Sequence, residues 1–254
     1  MPLHTDNGLE WIEPDWPARA WVRAASTLRM GGTSRGVYDS LNLGAHVGDH
    51  PAAVLENRRR LRAALKLPAE PLWLNQVHGT AVAAPGWYER PPTADAAVFN
   101  AYAGGARGVC AVLTADCLPV LFSDRAGSRV AAAHAGWRGL AAGVLAATIN
   151  ALNAPAQELM AWLGPAIGPQ AFEVGADVVE AFAARDPASA TAFTPNARGR
   201  WQADLYQLAR QELTRLGVTA VFGGGWCTAG ESARFFSYRR DGQTGRMATL
   251  VWLE

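Results

Sequence analysis

The chain has 254 residues, half of them apolar and 18% charged, the balance of a soluble globular protein with enough length for a substantial core. Its formal net charge is +1, so no global field draws it to nucleic acid or to an anionic membrane, and neither partner is expected. Lys66 is the only lysine, which excludes a P-loop lysine and leaves Schiff-base chemistry to one residue in an expected surface helix.

Residues 1–14 are acidic and polar and lack the apolar stretch of a leader peptide. Three cysteines cannot all pair with one another, and their spacing is not that of a disulfide scaffold, so a reduced, cytoplasmic setting is expected. Residues 18–28 read as a strand, followed by a glycine-rich turn at Gly31-Gly32-Thr33-Ser34. Residues 49–67 have helical spacing: Pro51 suits the first turn, Val54, Leu55, Leu61 and Leu65 supply apolar positions, and Pro68 ends it. Residues 71–77 read as a strand ending at His78. Residues 108–113 and 118–123 are buried strands on either side of an Asp116-Cys117 turn, and 129–134 is another.

Gly136 breaks that run, and residues 137–152 have helical spacing through Leu140, Val144, Leu145, Ile149 and Leu152. His134 is thus expected at a strand end and Arg138 at a helix start, where free N–H groups favour an anion. A short strand at 161–164, helices at 174–184 and 204–216, and a strand at 218–222 follow. Residues 235–238 and 247–253 read as a closing hairpin around Arg240-Asp241-Gly242. Strands and helices interleave without a strict βαβ rhythm, so the expected class is a mixed-sheet α/β or α+β domain over 1–254.

Three segments carry side chains suited to a metal: Asn75-Gln76-Val77-His78-Gly79, Thr114-Ala115-Asp116-Cys117-Leu118-Pro119 and His134-Ala135-Gly136-Trp137-Arg138-Gly139. Two imidazoles and a thiolate can hold zinc and leave a position open. Taken singly, each is more ordinary. A histidine at a strand end is usually a hydrogen-bonded structural group, and a cysteine in an apolar run, such as Cys110, is a small buried one. The spacing fits no zinc-finger pattern. His46 and His50 are four apart, but Gly48 and Pro51 argue against a shared helix face. Cys117 with a histidine could equally form a hydrolase dyad. Arg239 and Arg240, beside Phe235 and Phe236, read as a solvated hairpin rather than a nucleic-acid patch.

Across nearly its whole length the chain resembles the YfiH-like family, labelled laccase-domain or multicopper polyphenol oxidase proteins. The likeness runs through the three segments above, through Ser40-Leu41-Asn42-Leu43-Gly44-Ala45-His46-Val47-Gly48-Asp49, Asn57-Arg58, Ala94-Asp95-Ala96 and Leu163-Gly164-Pro165-Ala166-Ile167-Gly168-Pro169, and on to Phe236-Ser237-Tyr238-Arg239-Arg240-Asp241-Gly242-Gln243-Thr244-Gly245-Arg246. Leu28, Thr33 and His50 depart from the family's usual residues without removing a ligand.

The resemblance implies a mixed β-sheet sandwich flanked by helices, similar to a bacterial cysteine-dependent deamidase toxin domain. It implies metal on His78, Cys117 and His134, zinc with copper possible. It implies phosphorolysis of adenosine, inosine and methylthioadenosine and hydrolytic deamination of adenosine, by a monomer or homodimer with purine nucleosides and phosphate as its partners. On that reading Asp95 or Asp116 moves the proton and Arg138 holds phosphate, with Ser34 as a second donor and Asn42 and Gln76 at the substrate. Trp137 or Phe236 stacks on the purine. A Cys/His hydrolase and a copper polyphenol oxidase are the alternatives. Five histidines are few for a type 1 site plus a trinuclear copper cluster.

Overall fold

The computed structural model describes residues 3–6, 8–84, 86, 88–101 and 108–254. Two six-stranded sheets stack face to face. The first runs in the order Leu3–Asp6, Leu9–Ile12, Val22–Thr27, Met247–Leu253, Val109–Thr114, Pro71–Leu72. Only its last pair is parallel. The second runs Ala220–Gly223, Leu159–Leu163, Leu118–Asp124, Arg129–Ala135, Ala96–Asn100, Val82–Ala83, antiparallel except for the two outermost pairs. A small sheet of Glu173–Val174, Trp201–Ala203 and Phe193–Pro195 lies beside them.

The two-residue period of a strand sorts the side chains into layers. In Val109–Thr114, Cys110 and Val112 point between the sheets, where they join Leu121, Ala132, Trp162, Met247 and Val251. Val109, Ala111 and Leu113 face the other way, packing with Leu250 and with Leu61 of helix Pro51–Ala64. In the second sheet Leu118, Val120 and Phe122 turn outward onto helices Val144–Leu152 and Leu205–Arg215 through Leu145, Ile149, Leu208 and Leu213. The result is helix, sheet, sheet, helices: the expected flanked sandwich.

Several elements depart from their sequence pattern. The expected helix over 137–152 is two, Trp137–Ala142 and Val144–Leu152, because Gly143 takes a left-handed φ of +100° between them. Leu55 is 71% exposed and contributes nothing to the core. The strand expected over 71–77 stops at Leu72. The expected closing hairpin does not form. Phe235 and Phe236 are fully buried, residues Tyr238–Asp241 make one helical turn capped by the Ser237 hydroxyl, and Met247–Leu253 pairs with Val22–Thr27 and Val109–Thr114 instead. No helix among the described residues is long and apolar enough to cross a membrane. All three cysteines are free thiols.

Candidate active site

Strand Val109–Thr114 belongs to one sheet and Leu118–Asp124 to the other, so residues 115–117 cross the sandwich at its end. This crossing presents Cys117. It requires a left-handed φ of +90° at Asp116, uncommon for a residue with a Cβ. The Asp116 carboxylate secures it by accepting from Thr228 Oγ1 at 2.6 Å, Ser237 Oγ at 3.0 Å and the Arg239 amide at 2.7 Å.

His78 also has a positive φ, +61°, in a turn rather than at a strand end. Asp95 holds that turn. Fully buried, it accepts the Val77 and Gly79 amides on Oδ2 at 3.2 and 2.7 Å and the His78 amide on Oδ1 at 2.9 Å. The same Oδ1 lies 2.8 Å from Nδ1 of His134, which sits near the end of strand Arg129–Ala135. One carboxylate therefore sets the position of both histidines.

The donor atoms of His78, Cys117 and His134 lie within 4.8 Å of one another, and Cys117 Sγ is 3.7 Å from His78 Nε2. Tetrahedral zinc with thiolate and imidazole ligands places sulfur and nitrogen about 3.6 Å apart. With Asp95 on Nδ1 of His134, the Nε2 atom is left for a metal. The residues present fit a metal ion with an open coordination position.

Burial disfavours the Cys117 thiolate, but the charge of His134 and hydrogen bonds from both histidines outweigh it and bring the thiol down to about 6. Burial likewise opposes the His134 imidazolium, and the Cys117 thiolate and Asp95 raise it to about 9. Both shifts favour a thiolate beside an imidazolium in the absence of metal, with His134 buried and Cys117 partly exposed to the cleft. Gly136 makes the approach possible: a Cβ there would lie 2.8 Å from His78 Cδ2 and 3.0 Å from Cys117 Sγ. Gly136→Ala is expected to weaken zinc binding at least about tenfold by splaying these ligands. Competition with a chromophoric chelator measures it, and an affinity within about twofold of the parent would refute the steric argument.

The cluster floors a cleft of about 420 Å3, in the range of small-molecule sites. Trp137, Ile167, Phe172 and Leu205 give it apolar walls; His46, Arg138, Tyr238, Arg239 and Arg246 supply polar and cationic groups.

The sequence-derived candidates divide. Cys117, His78, His134 and Arg138 meet at the cleft, and Trp137 lines it. Gln76 also lines it, but both ends of its amide are bound to the Leu113 backbone at 2.8 Å. Asp116 lines it with its carboxylate turned to Thr228, Ser237 and Arg239, and Asp95 lies beneath it with four hydrogen bonds. Both carboxylates thus have their oxygens engaged by protein donors that fix the turns carrying His78 and Cys117. Ser34 and Asn42 do not reach the cleft. They are buried in a network in which Ser34 donates to Asp49 at 2.6 Å, and Asn57 donates to Ser34 at 2.9 Å and to the Asn42 carbonyl at 2.8 Å. Phe236 is in the core, with the Arg29 guanidinium over its ring, and cannot stack on a ligand.

Arg239, read from sequence as a solvated hairpin residue, lines the cleft instead. Arg246 and His46 were not singled out for it. Both lie inside segments shared with the family, which was the only signal available.

A family model described as multi-copper polyphenol oxidoreductase laccase matches residues 23–254. The chain is 58% identical over 249 residues to purine nucleoside phosphorylase PA4543 of Pseudomonas aeruginosa, covering 96% of this chain and 98% of that one. It is 53% identical over 242 residues to purine nucleoside phosphorylase YfiH of Escherichia coli, covering 95% and 98%. The chain belongs to the YfiH family. Its fold matches the crystal structure of Neisseria meningitidis NMB0706 with a TM-score of 0.90 at 52% identity, over 98% of this chain and all of that one. YlmD of Geobacillus stearothermophilus matches with a TM-score of 0.87 at 31% identity, over 99% and 98%.

Proposed function

We propose that this protein is a zinc-dependent purine nucleoside phosphorylase acting on adenosine, inosine and methylthioadenosine, and that the same cleft deaminates adenosine. The observation that carries the reading is the joining, in one cleft, of a His/Cys/His cluster with guanidinium groups that have no acidic partner among the described residues. The names of the close relatives support phosphorolysis.

In that reaction a phosphate oxygen attacks C1' of the ribose. The bond from C1' to the purine nitrogen breaks, its electron pair leaves with the base, and the base takes up a proton, giving free purine and ribose 1-phosphate. Bound by His78, Cys117 and His134, zinc would supply Lewis acidity at the floor of the cleft. Arg138 is exposed, stacks over Trp137 at 4.3 Å and meets no carboxylate among the described residues, so it can receive phosphate from solvent. Trp137, partly exposed at the cleft, offers aromatic surface to the purine.

The ligand count favours a single metal over laccase chemistry. Two of the five histidines stand in the cluster, and His4 pairs with Glu13. The test is incubation of metal-loaded protein with adenosine and phosphate. Adenine with ribose 1-phosphate is expected from phosphorolysis, and inosine with ammonia from deamination. Neither product at full metal occupancy would end this reading.

A second reading, a Cys117/His134 hydrolase, is favoured by the lowered thiol and raised imidazole alone. It requires activity that survives complete metal removal and is lost on alkylation of Cys117.

A further inference from the structure

Of the three arginines at the cleft, Arg138 and Arg239 are exposed, whereas Arg246 is partly buried and held by both its backbone and its side chain. Its backbone amide donates to Asn42 Oδ1 at 2.9 Å. Its Nη1 donates to the Thr244 and Gly245 carbonyls at 2.9 and 3.0 Å. Its stem packs on Gly44, where a Cβ would lie 2.8 Å from Arg246 Cγ. Asn42 is itself fixed, donating to Asp49 at 2.9 Å and accepting the Gly44 amide at 2.9 Å. Thus the buried network that does not reach the cleft places a guanidinium that does.

Those bonds use one nitrogen of the head group. Among the described residues, Nε and Nη2 have no hydrogen-bond partner and no carboxylate forms an ion pair with Arg246. Burial lowers its pKa, with the Cys117 and Asp116 charges opposing that shift. A half-buried, rigidly mounted and acid-free guanidinium is an arrangement that an oxyanion completes, because the planar fork offers two parallel N–H groups. Arg138 offers the contrast: it is exposed, with its guanidinium over the face of Trp137.

We propose that Arg246, mounted by Asn42, is the inner phosphate-binding residue of the cleft, and that Arg138 is the outer one through which the anion enters. The inference deepens the phosphorolysis reading and rests on it for the identity of the anion. It assigns the pre-organised contact, and hence the specificity for phosphate, to a residue outside the three ligand segments.

The test compares Arg246→Gln and Arg246→Lys with the parent as metal-loaded proteins of equal zinc content and matched melting temperature. Arg246→Gln is expected to raise KM for phosphate at least about tenfold while KM for the nucleoside stays within about twofold. Arg246→Lys, which keeps the charge but loses the fork, is expected to recover only part of that. An unchanged KM for phosphate in both variants would overturn the proposal and leave the phosphorylase reading intact. Inorganic phosphate binding, followed by calorimetry without nucleoside, keeps the test independent of turnover. If the parent shows no phosphorolysis, weaker phosphate binding in Arg246→Gln still supports the anion site, and equal binding overturns it.

Discussion

Cys117→Ala is expected to abolish stoichiometric zinc binding and, with it, nucleoside turnover. Structural zinc sites with four protein ligands are worth about 10–16 kcal/mol, or about 3 kcal/mol per ligand, so losing one should weaken affinity at least about 100-fold. The fold should survive, because the Cys117 side chain meets the cleft rather than the core, while the bonds of Asp116 that hold the crossing remain. Elemental analysis after dialysis against a weak chelator measures the loss, and undiminished zinc content would remove Cys117 from the ligand set.

The parent protein, stripped of metal, gives a second readout of the same group. Its thiol is held at about 6, so the thiolate fraction rises as pH passes upward through that value. Iodoacetamide should modify Cys117 rapidly at pH 7 and slowly at pH 5. Cys110, buried in its strand with its thiol pushed up by burial, should not react. Added zinc should protect Cys117.

Much of this was legible in the chain because strand burial and turn residues are local signals. Val109–Thr114 and Leu118–Asp124 are continuous apolar runs, and they appear within a residue of where periodicity places them. The ligand trio was legible in part, because each member sits beside a glycine or at a strand end. What periodicity could not show is which sheet each strand joins. Val109–Thr114 and Leu118–Asp124 look like a hairpin on paper, yet they enter different sheets, and that crossing is what lifts Cys117 into the cleft. Two polar candidates lie away from the cleft for a related reason. Ser34 and Asn42 look like ligand groups in a glycine-rich stretch, but burial turns their hydrogen-bonding capacity inward. Arg246 acts near the far end of the chain, about 130 residues from Cys117, and gains its meaning only when Met247–Leu253 is inserted between two earlier strands.

The same reasoning makes Asp95 the most sensitive position outside the ligands. Its two oxygens accept four hydrogen bonds, from three successive backbone amides and from His134 Nδ1. Burial works against its ionisation, but the His134 bond and the Gly79 amide hold the carboxyl below its usual range. Asp95→Asn keeps the shape and replaces one acceptor with a donor. Whichever way the amide turns, its NH2 faces N–H groups, and each buried donor left unpaired costs about 1–3 kcal/mol. If the NH2 meets His134, Nδ1 must become the acceptor, which moves the ring proton to Nε2, the nitrogen needed for the metal. If it meets Val77 and Gly79, the turn that carries His78 loosens. Either way zinc affinity should fall about 10–100-fold, and the melting temperature of the metal-free protein should fall as well. Asp95→Ala removes all four bonds and should be worse on both counts. Chelator competition and thermal unfolding of the two variants test this together. A metal affinity in Asp95→Asn within about twofold of the parent would show that the histidines hold their places without the carboxylate, and would return Asp95 to an ordinary buried residue.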